Sequence, residues 1–184
     1  MQALLVIDAQ NEFSGAGRRP VPNHGAALRQ IFELVAEARR ERRPIAWVQH
    51  FNKPNESPAF IPGSWGAELS PGLGPRPGFG PERLFQKNVY GAFTDTELGG
   101  WLLQGGVTDV LIGGFYTHMC VSTTAREALV RGFGVAVDPE ATGACDLYDD
   151  VLGRQTADEV RRTALLHLRN MGAIIVSRAV QPTW

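Results

Sequence analysis

The amino-acid sequence predicts an α/β fold in three layers, with a mostly parallel central sheet covered by helices on both faces. Three observations predict it. Short β-branched and aliphatic runs alternate along the chain with segments whose apolar residues recur at helical spacing, the mark of repeated strand–helix–strand units. The apolar runs are continuous rather than alternating with polar residues, as in strands buried on both faces. Glycine or proline punctuates many of the junctions between the two patterns, where the chain must turn.

Taken in order, Ala3-Leu4-Leu5-Val6-Ile7 is the first strand, closed by Asp8. Leu28, Ile31, Phe32 and Val35 repeat as one helix face, and the helix stops before Pro44, whose ring disfavours helical backbone in the residue preceding it. Ile45-Ala46-Trp47-Val48 is the second strand. From about residue 52 to 81 the chain is crowded with Pro and Gly and has little periodicity. A stretch of that length usually forms a wall or lid over a site. Phe85-Gln86-Lys87 closes a further strand. Thr94 and Glu97 have capping-box spacing for a short helix through Leu98 and Leu102 that ends at Gly105-Gly106. Val110-Leu111-Ile112 is a strand stopped by Gly113-Gly114. The next helix places Val121, Ala125, Ala128 and Leu129 on one face, with Glu127 and Arg131 four apart on the solvent side, and Gly132 closes it. Val135-Ala136-Val137 is a strand, Val160, Ala164, Leu168 and Met171 mark the last long helix, and Ile174-Ile175-Val176 is the last strand.

With 184 residues and neither repeats nor low-complexity tracts, the chain is expected to form one domain over residues 1–184. A net charge of −1 gives no bulk attraction to nucleic acid or to an anionic membrane, so neither is expected as a partner. The arginines of Arg39-Arg40 and Arg42-Arg43 fall at a helix end, where they suit the negative pole of the dipole. No segment approaches the roughly 18 apolar residues that span a bilayer, and Ala3–Ile7 is too short for the apolar core of a secretory signal. A cytoplasmic protein is therefore expected, with Cys120 and Cys145 reduced.

In parallel sheets ligands bind beyond the carboxyl ends of the strands. Three such ends carry reactive residue types. Asp8 taken alone reads first as a turn or capping residue, and Lys87 alone as a surface lysine. Cys120 is the stronger candidate. If Thr117 caps the following helix, Cys120 lies in its first turn, where unpaired N–H groups and the dipole favour a thiolate. The alternative for Cys120 is a buried small hydrophobe. Cys145, in Ala144-Cys145-Asp146, follows a strand with no helix start behind it and reads as structural.

Together these segments resemble the isochorismatase-like cysteine hydrolases, a group that includes nicotinamidases, N-carbamoylsarcosine amidohydrolases and ureidoacrylate amidohydrolases. The resemblance is carried by residues 3–13, by Gly63-Ser64-Trp65-Gly66-Ala67-Glu68-Leu69, by Lys87-Asn88-Val89-Tyr90-Gly91-Ala92-Phe93, and by Gly114-Phe115-Tyr116-Thr117-His118-Met119-Cys120-Val121 continuing to Ala128. It implies Asp8 as proton acceptor, Lys87 as its electrostatic partner and Cys120 as nucleophile. It also implies a non-proline cis peptide at Phe115-Tyr116, which would aim the Tyr116 N–H beside that of Cys120 as an oxyanion hole. The implied reaction is cleavage of an amide or carbamoyl C–N bond in a small molecule through a thioester, by a dimer or tetramer without a cofactor. Phe13, Trp65, Tyr116 and His118 are candidate pocket walls.

One departure bears on the metal. Metal-binding nicotinamidases place an aspartate and a histidine one residue apart after the second strand, with another histidine downstream. Here the stretch reads Gln49-His50-Phe51-Asn52, and no histidine lies between His50 and His118, so no catalytic metal is expected. The Gly66-Ala67-Glu68 segment leans toward the isochorismatase and carbamoylsarcosine side of the family.

Rival readings are vinyl ether hydrolysis of the isochorismatase type with Asp8 as acid, and a non-catalytic binding protein on the same fold. Cys120 and Arg126 also have the C-x5-R spacing of a phosphatase loop. The intervening Val121-Ser122-Thr123-Thr124-Ala125 lacks the glycine that such an anion cradle usually needs.

Overall fold

A computed structural model describes residues 1–176 of the chain. Its strands are β1 (Gln2–Ile7), β2 (Ile45–His50), β3 (Glu82–Lys87), β4 (Asp109–Phe115), β5 (Gly134–Gly143), β6 (Leu147–Asp149), β7 (Gly153–Gln155) and β8 (Ile174–Ile175). The α-helices are α1 (His24–Arg40), α2 (Leu98–Gln104), α3 (Ser122–Val130) and α4 (Ala157–Asn170). Six strands form one sheet in the order β3-β2-β1-β4-β5-β8, and every neighbouring pair is parallel. From central β1 the chain steps outward to β2 and β3, then returns to β4 and runs the other way. The direction reverses between β1 and β4, and a crevice opens at such a point beyond the strands' carboxyl ends.

Successive strand residues point to opposite faces, and the core divides accordingly. Ala3, Leu5, Ile7, Val110 and Ile112 pack with Leu98 and Leu102 of α2, Ala125 and Ala128 of α3 and Leu168 of α4. Leu4, Val6, Trp47 and Leu111 pack on the other side with Ala27, Ile31, Leu34, Val35 and Ala38 of α1. This is the three-layer arrangement expected.

Several local expectations fail. In α1 the buried stripe includes Ala27 and Leu34, while Phe32 is turned outward, because an apolar residue at helical spacing can belong to either of two adjacent stripes. Thr94 and Glu97 form no capping box. Glu97 caps α2 without a side-chain bond, and the Thr94 hydroxyl goes to Glu127 instead. Glu127 also accepts from the Phe93 N–H at 2.9 Å, so it braces the 91–94 turn and does not pair with Arg131 across solvent. The capping box of the structure is Thr156 with Glu159, at the start of α4. Arg39 is held rather than solvated. Its guanidinium meets Glu82 at 2.8 Å with the carboxylate almost fully buried, and the Trp47 indole donates to the same carboxylate at 2.9 Å. Near the site β4 and β1 approach unusually closely: Gly114 has φ +131, and a Cβ there would collide with the Ile7 carbonyl oxygen. Only glycine takes that conformation without penalty.

Candidate active site

Three side chains from three strand ends meet beyond the sheet. Asp8 follows β1 directly, with its backbone in the left-handed region at φ 49, a conformation that aspartate visits more readily than most residues. Lys87 is the last residue of β3, in register with His50 at the end of β2. Cys120 lies in a π-helical turn, Thr117–Val121, that links β4 to α3. Lys87 Nζ is 2.7 Å from Asp8 Oδ2 and 3.3 Å from Cys120 Sγ. All three groups are nearly sealed from solvent, with exposures of 0%, 5% and 7% for Asp8, Lys87 and Cys120.

The ammonium has two further neighbours. It donates to the Val89 carbonyl at 3.1 Å and lies 3.3 Å from His50 Nδ1. His50 Nε2 is 2.9 Å from Asn52 Oδ1. Burial and then the Lys87 charge hold the His50 pKa below its ordinary value. The ring is therefore neutral, and the contacts assign the proton to Nε2, leaving Nδ1 as an acceptor for Lys87. Burial by itself would lower the Lys87 pKa, but the Asp8 charge and the sulfur outweigh it and raise the pKa, so the lysine stays charged. Among the described residues Asp8 Oδ1 has no hydrogen-bond partner, which makes it the open acceptor of the cluster.

The thiol departs from expectation. Thr117 does not cap the turn, since Tyr116 holds the N-cap position and, among the described residues, the buried Thr117 hydroxyl has no partner. Burial raises the Cys120 pKa well above that of an ordinary thiol, the Asp8 charge adds to the rise, and Lys87 opposes it only in part. Desolvation and a neighbouring anion outweigh whatever a helix start contributes, so the resting group is a neutral thiol beside a carboxylate–ammonium pair.

A cavity of about 380 Å³ opens over this cluster. Asp8, Phe13, His50, Phe60, Tyr116 and Cys120 are among its walls. Phe13 is the hub of the aromatic side, with ring centroids 5.2 Å from Phe60 and 4.8 Å from Tyr116.

A family model for the isochorismatase domain matches residues 2–180. The chain belongs to the isochorismatase family. Among similar members, the secreted isochorismatase effector Isc1 of Verticillium dahliae is 35% identical, with 78% of this chain and 73% of that protein covered. A nicotinamidase/pyrazinamidase of Mycobacterium tuberculosis is 30% identical over 91% of this chain and 98% of its own length. A streptothricin hydrolase of Streptomyces noursei is 35% identical over 80% of this chain, which spans 56% of that longer protein. A crystal structure of an isochorismatase from Pseudomonas putida KT2440 superposes with a TM-score of 0.87 at 28% identity, covering 95% of this chain and 87% of the other. These relatives support a hydrolase of the isochorismatase family.

Of the residues singled out from sequence, Asp8, Cys120, Phe13 and Tyr116 line the cavity, Lys87 lies against Asp8 and Cys120 outside its lining, and the Phe115–Tyr116 peptide is cis. Trp65 and His118 do not line it. Trp65 is 51% exposed, and it contributes its carbonyl, which accepts from Asn11 Nδ2 at 3.0 Å. His118 stacks on Tyr116 with centroids 5.2 Å apart, away from the cavity. Among the described residues no group of three or more His, Cys, Asp or Glu is placed to hold a metal ion.

Sequence reasoning missed the residues that hold the walls. Gln10 is fully buried and bridges two segments: its Nε2 donates to the carbonyls of His50 and Ala67 at 2.9 and 2.7 Å, while its Oε1 accepts from the His50 N–H. Glu12, also buried, accepts from the Phe60 N–H at 3.2 Å, and its carboxylate occupies the space that a side chain at Gly66 would need. The available signal was three consecutive polar residues, Gln10-Asn11-Glu12, separated by two residues from the end of a strand buried on both faces. Buried polar groups in such a place must find partners.

Proposed function

We propose that the protein is a cysteine hydrolase that cleaves an amide or carbamoyl C–N bond in a small molecule through a thioester on Cys120. The observation that carries this reading is that Asp8 and Cys120 line one cavity while Lys87 Nζ, just behind them, contacts both the Asp8 carboxylate and Cys120 Sγ.

The chemistry follows from the resting protonation. When a carbonyl carbon reaches Sγ, the thiol proton passes to Asp8 Oδ1 as the C–S bond forms, so no free buried thiolate has to persist beforehand. Lys87, 2.7 Å from Asp8 Oδ2 and 3.3 Å from Sγ, stabilises the sulfur as it gains charge. The backbone N–H groups of Tyr116 and Cys120 are the proposed oxyanion donors, each contributing about 2.7–4 kcal/mol in comparable sites. Asp8 then returns the proton to the leaving nitrogen, the C–N bond breaks, and water attacks the thioester to release the acid and regenerate the thiol.

Amide and carbamoyl cleavage is favoured over vinyl ether hydrolysis because the sulfur lies at the cavity wall beside the proton acceptor, where acid catalysis by Asp8 alone would give it no task. The names of a nicotinamidase/pyrazinamidase and a streptothricin hydrolase among the relatives agree with this. The test is an ammonia-release screen over amides, ureido acids and carbamoyl amino acids. Cys120→Ala is expected to abolish both turnover and the mass shift of the trapped acyl-enzyme, and full activity in that variant would overturn the proposal.

The same reading takes the protein as cytoplasmic and homo-oligomeric, acting on a small molecule rather than on nucleic acid. Among the described residues no helix is long and apolar enough to cross a membrane. The exposed Val151 and Leu152 at the β6–β7 turn are apolar surface available to a second copy. Cell fractionation and sedimentation velocity check the two points, and a secreted monomer would refute both.

A further inference from the structure

The charge on the cavity wall is unbalanced. At its floor Asp8 is matched by Lys87. At the mouth stand two cations, Arg19 and Lys53, and one anion, Glu56. Glu56 is partly committed to its own turn, where Oε2 accepts from the Lys53 N–H at 2.9 Å. Neither Arg19 nor Lys53 has an ion-pair partner among the described residues. Among the described residues the one hydrogen bond of the Arg19 guanidinium goes to Ser57 Oγ, at 3.5 Å across the mouth.

The backbone of Arg19 is nevertheless fixed. Its N–H donates to the Glu12 carbonyl at 3.0 Å, and its own carbonyl accepts from the Tyr116 hydroxyl at 2.9 Å. Tyr116 immediately precedes the turn that carries Cys120. The arginine is thus tethered to the segment bearing the sulfur, while its guanidinium has five donors and almost nothing to give them to. An arginine fork matches the two oxygens of a carboxylate.

We infer that Arg19 is a specificity-determining residue that recognises a carboxylate on the substrate, at the end remote from the scissile C–N bond. Lys53 adds to the positive potential of the mouth, and the aromatic side formed by Phe13, Phe60 and Tyr116 takes the apolar body between the two ends. This inference rests on the amidase reading above and narrows it to amides or carbamoyl compounds that carry an acid group.

Two ligand pairs isolate the carboxylate: 3-carbamoylbenzoate against its methyl ester, and succinamate against methyl succinamate. Binding is measured by calorimetry on Cys120→Ala, which separates recognition from turnover. At least one acid is expected to bind about tenfold tighter than its ester, the size of one charge-assisted contact at a half-open site. Arg19→Ala in the same background should bring that ratio close to one, Arg19→Lys should restore part of it, and Arg19→Glu should invert it. Absence of measurable binding, absence of a preference for the acid in both pairs, or a preference that survives Arg19→Ala overturns the inference. Turnover by the protein with Cys120 intact is scored separately. Preference without turnover of any amide removes the amidase reading and leaves Arg19 as an anion-recognising residue, whereas turnover without preference does the reverse.

Discussion

Replacing Asp8 by Asn should drive catalysis and thiol reactivity in opposite directions. The substitution is nearly isosteric, and asparagine also accepts the left-handed backbone found at this position, so the fold should survive. At 3.3 Å and an effective dielectric constant of about 20, a thiolate and the Lys87 ammonium attract by roughly 5 kcal/mol. In the native cluster Asp8, at 2.7 Å from the same ammonium, largely cancels that attraction and also repels a charged sulfur. Removing the carboxylate releases it. If only a quarter is realised, the thiol pKa falls by about one unit. Thiolate at neutral pH then rises about tenfold, and the lower nucleophilicity of a more acidic thiol reduces the gain to about three- to fourfold. Alkylation of Cys120 by iodoacetamide at pH 7 should quicken by that factor, followed by mass spectrometry with Cys145 mutated to Ser. Amide turnover should fall about 10²–10⁴-fold, because Asn cannot take the proton. Alkylation that slows in step with turnover would show that the carboxylate strips the thiol before any electrophile arrives, and the neutral resting thiol would be refuted.

Two further outcomes test the surroundings. Gly114→Ala should cost more than about 3 kcal/mol or prevent folding, since the new methyl group meets the Ile7 carbonyl in a backbone conformation closed to alanine; a urea midpoint like that of the native protein would disprove the close approach. Glu82 accepts from Arg39 Nε and Nη2, the Trp47 indole and the Arg76 N–H. Burial raises its pKa, but these donors and the Arg39 charge outweigh that and leave it below the ordinary 4.5. A depressed folded value gives stability that is present above about 4.5 and lost as pH falls through the folded value. Glu82→Gln should therefore be less stable by about 1–3 kcal/mol at pH 7, with the gap narrowing toward pH 3, as urea melts at the two pH values would show. A gap independent of pH would be inconsistent with an ionised Glu82.

The sheet was legible because its strands are buried on both faces, and continuous apolar runs such as Ala3–Ile7 leave few other readings. Hairpin β6–β7 was not legible, since all six of its residues are exposed and no burial pattern marks them. Thr94 with Glu97 and Thr156 with Glu159 have the same spacing, yet only the second pair caps a helix. What separates them is a tertiary contact, the turn of residues 91–94 resting on Glu127, which lies 33 positions further along. At the site, strand-end position pointed to Asp8, Lys87 and Cys120, but Lys87 alone read as a surface lysine until the resemblance was added, because nothing local distinguishes a buried lysine from a solvated one. The protonation of Cys120 was misjudged for the same reason: it depends on depth and on a carboxylate that the sequence places 112 residues away.

Gln10 and its neighbours bear on how a ligand would enter. The Trp65–Ser70 stretch of the long Pro- and Gly-rich segment is stapled to the end of β1 by Gln10, by the Asn11 side chain, by Asn11 N–H to the Glu68 carbonyl at 2.9 Å and by Ser70 N–H to the Ala9 carbonyl at 2.8 Å. That stretch lies outside the cavity lining, but Gln10 also fixes the His50 backbone and Glu12 the Phe60 N–H, so ordering of these walls takes place during folding and association does not have to include its entropic cost. A visiting molecule meets a doorway whose frame is already set, and discrimination falls to the few side chains projecting from it.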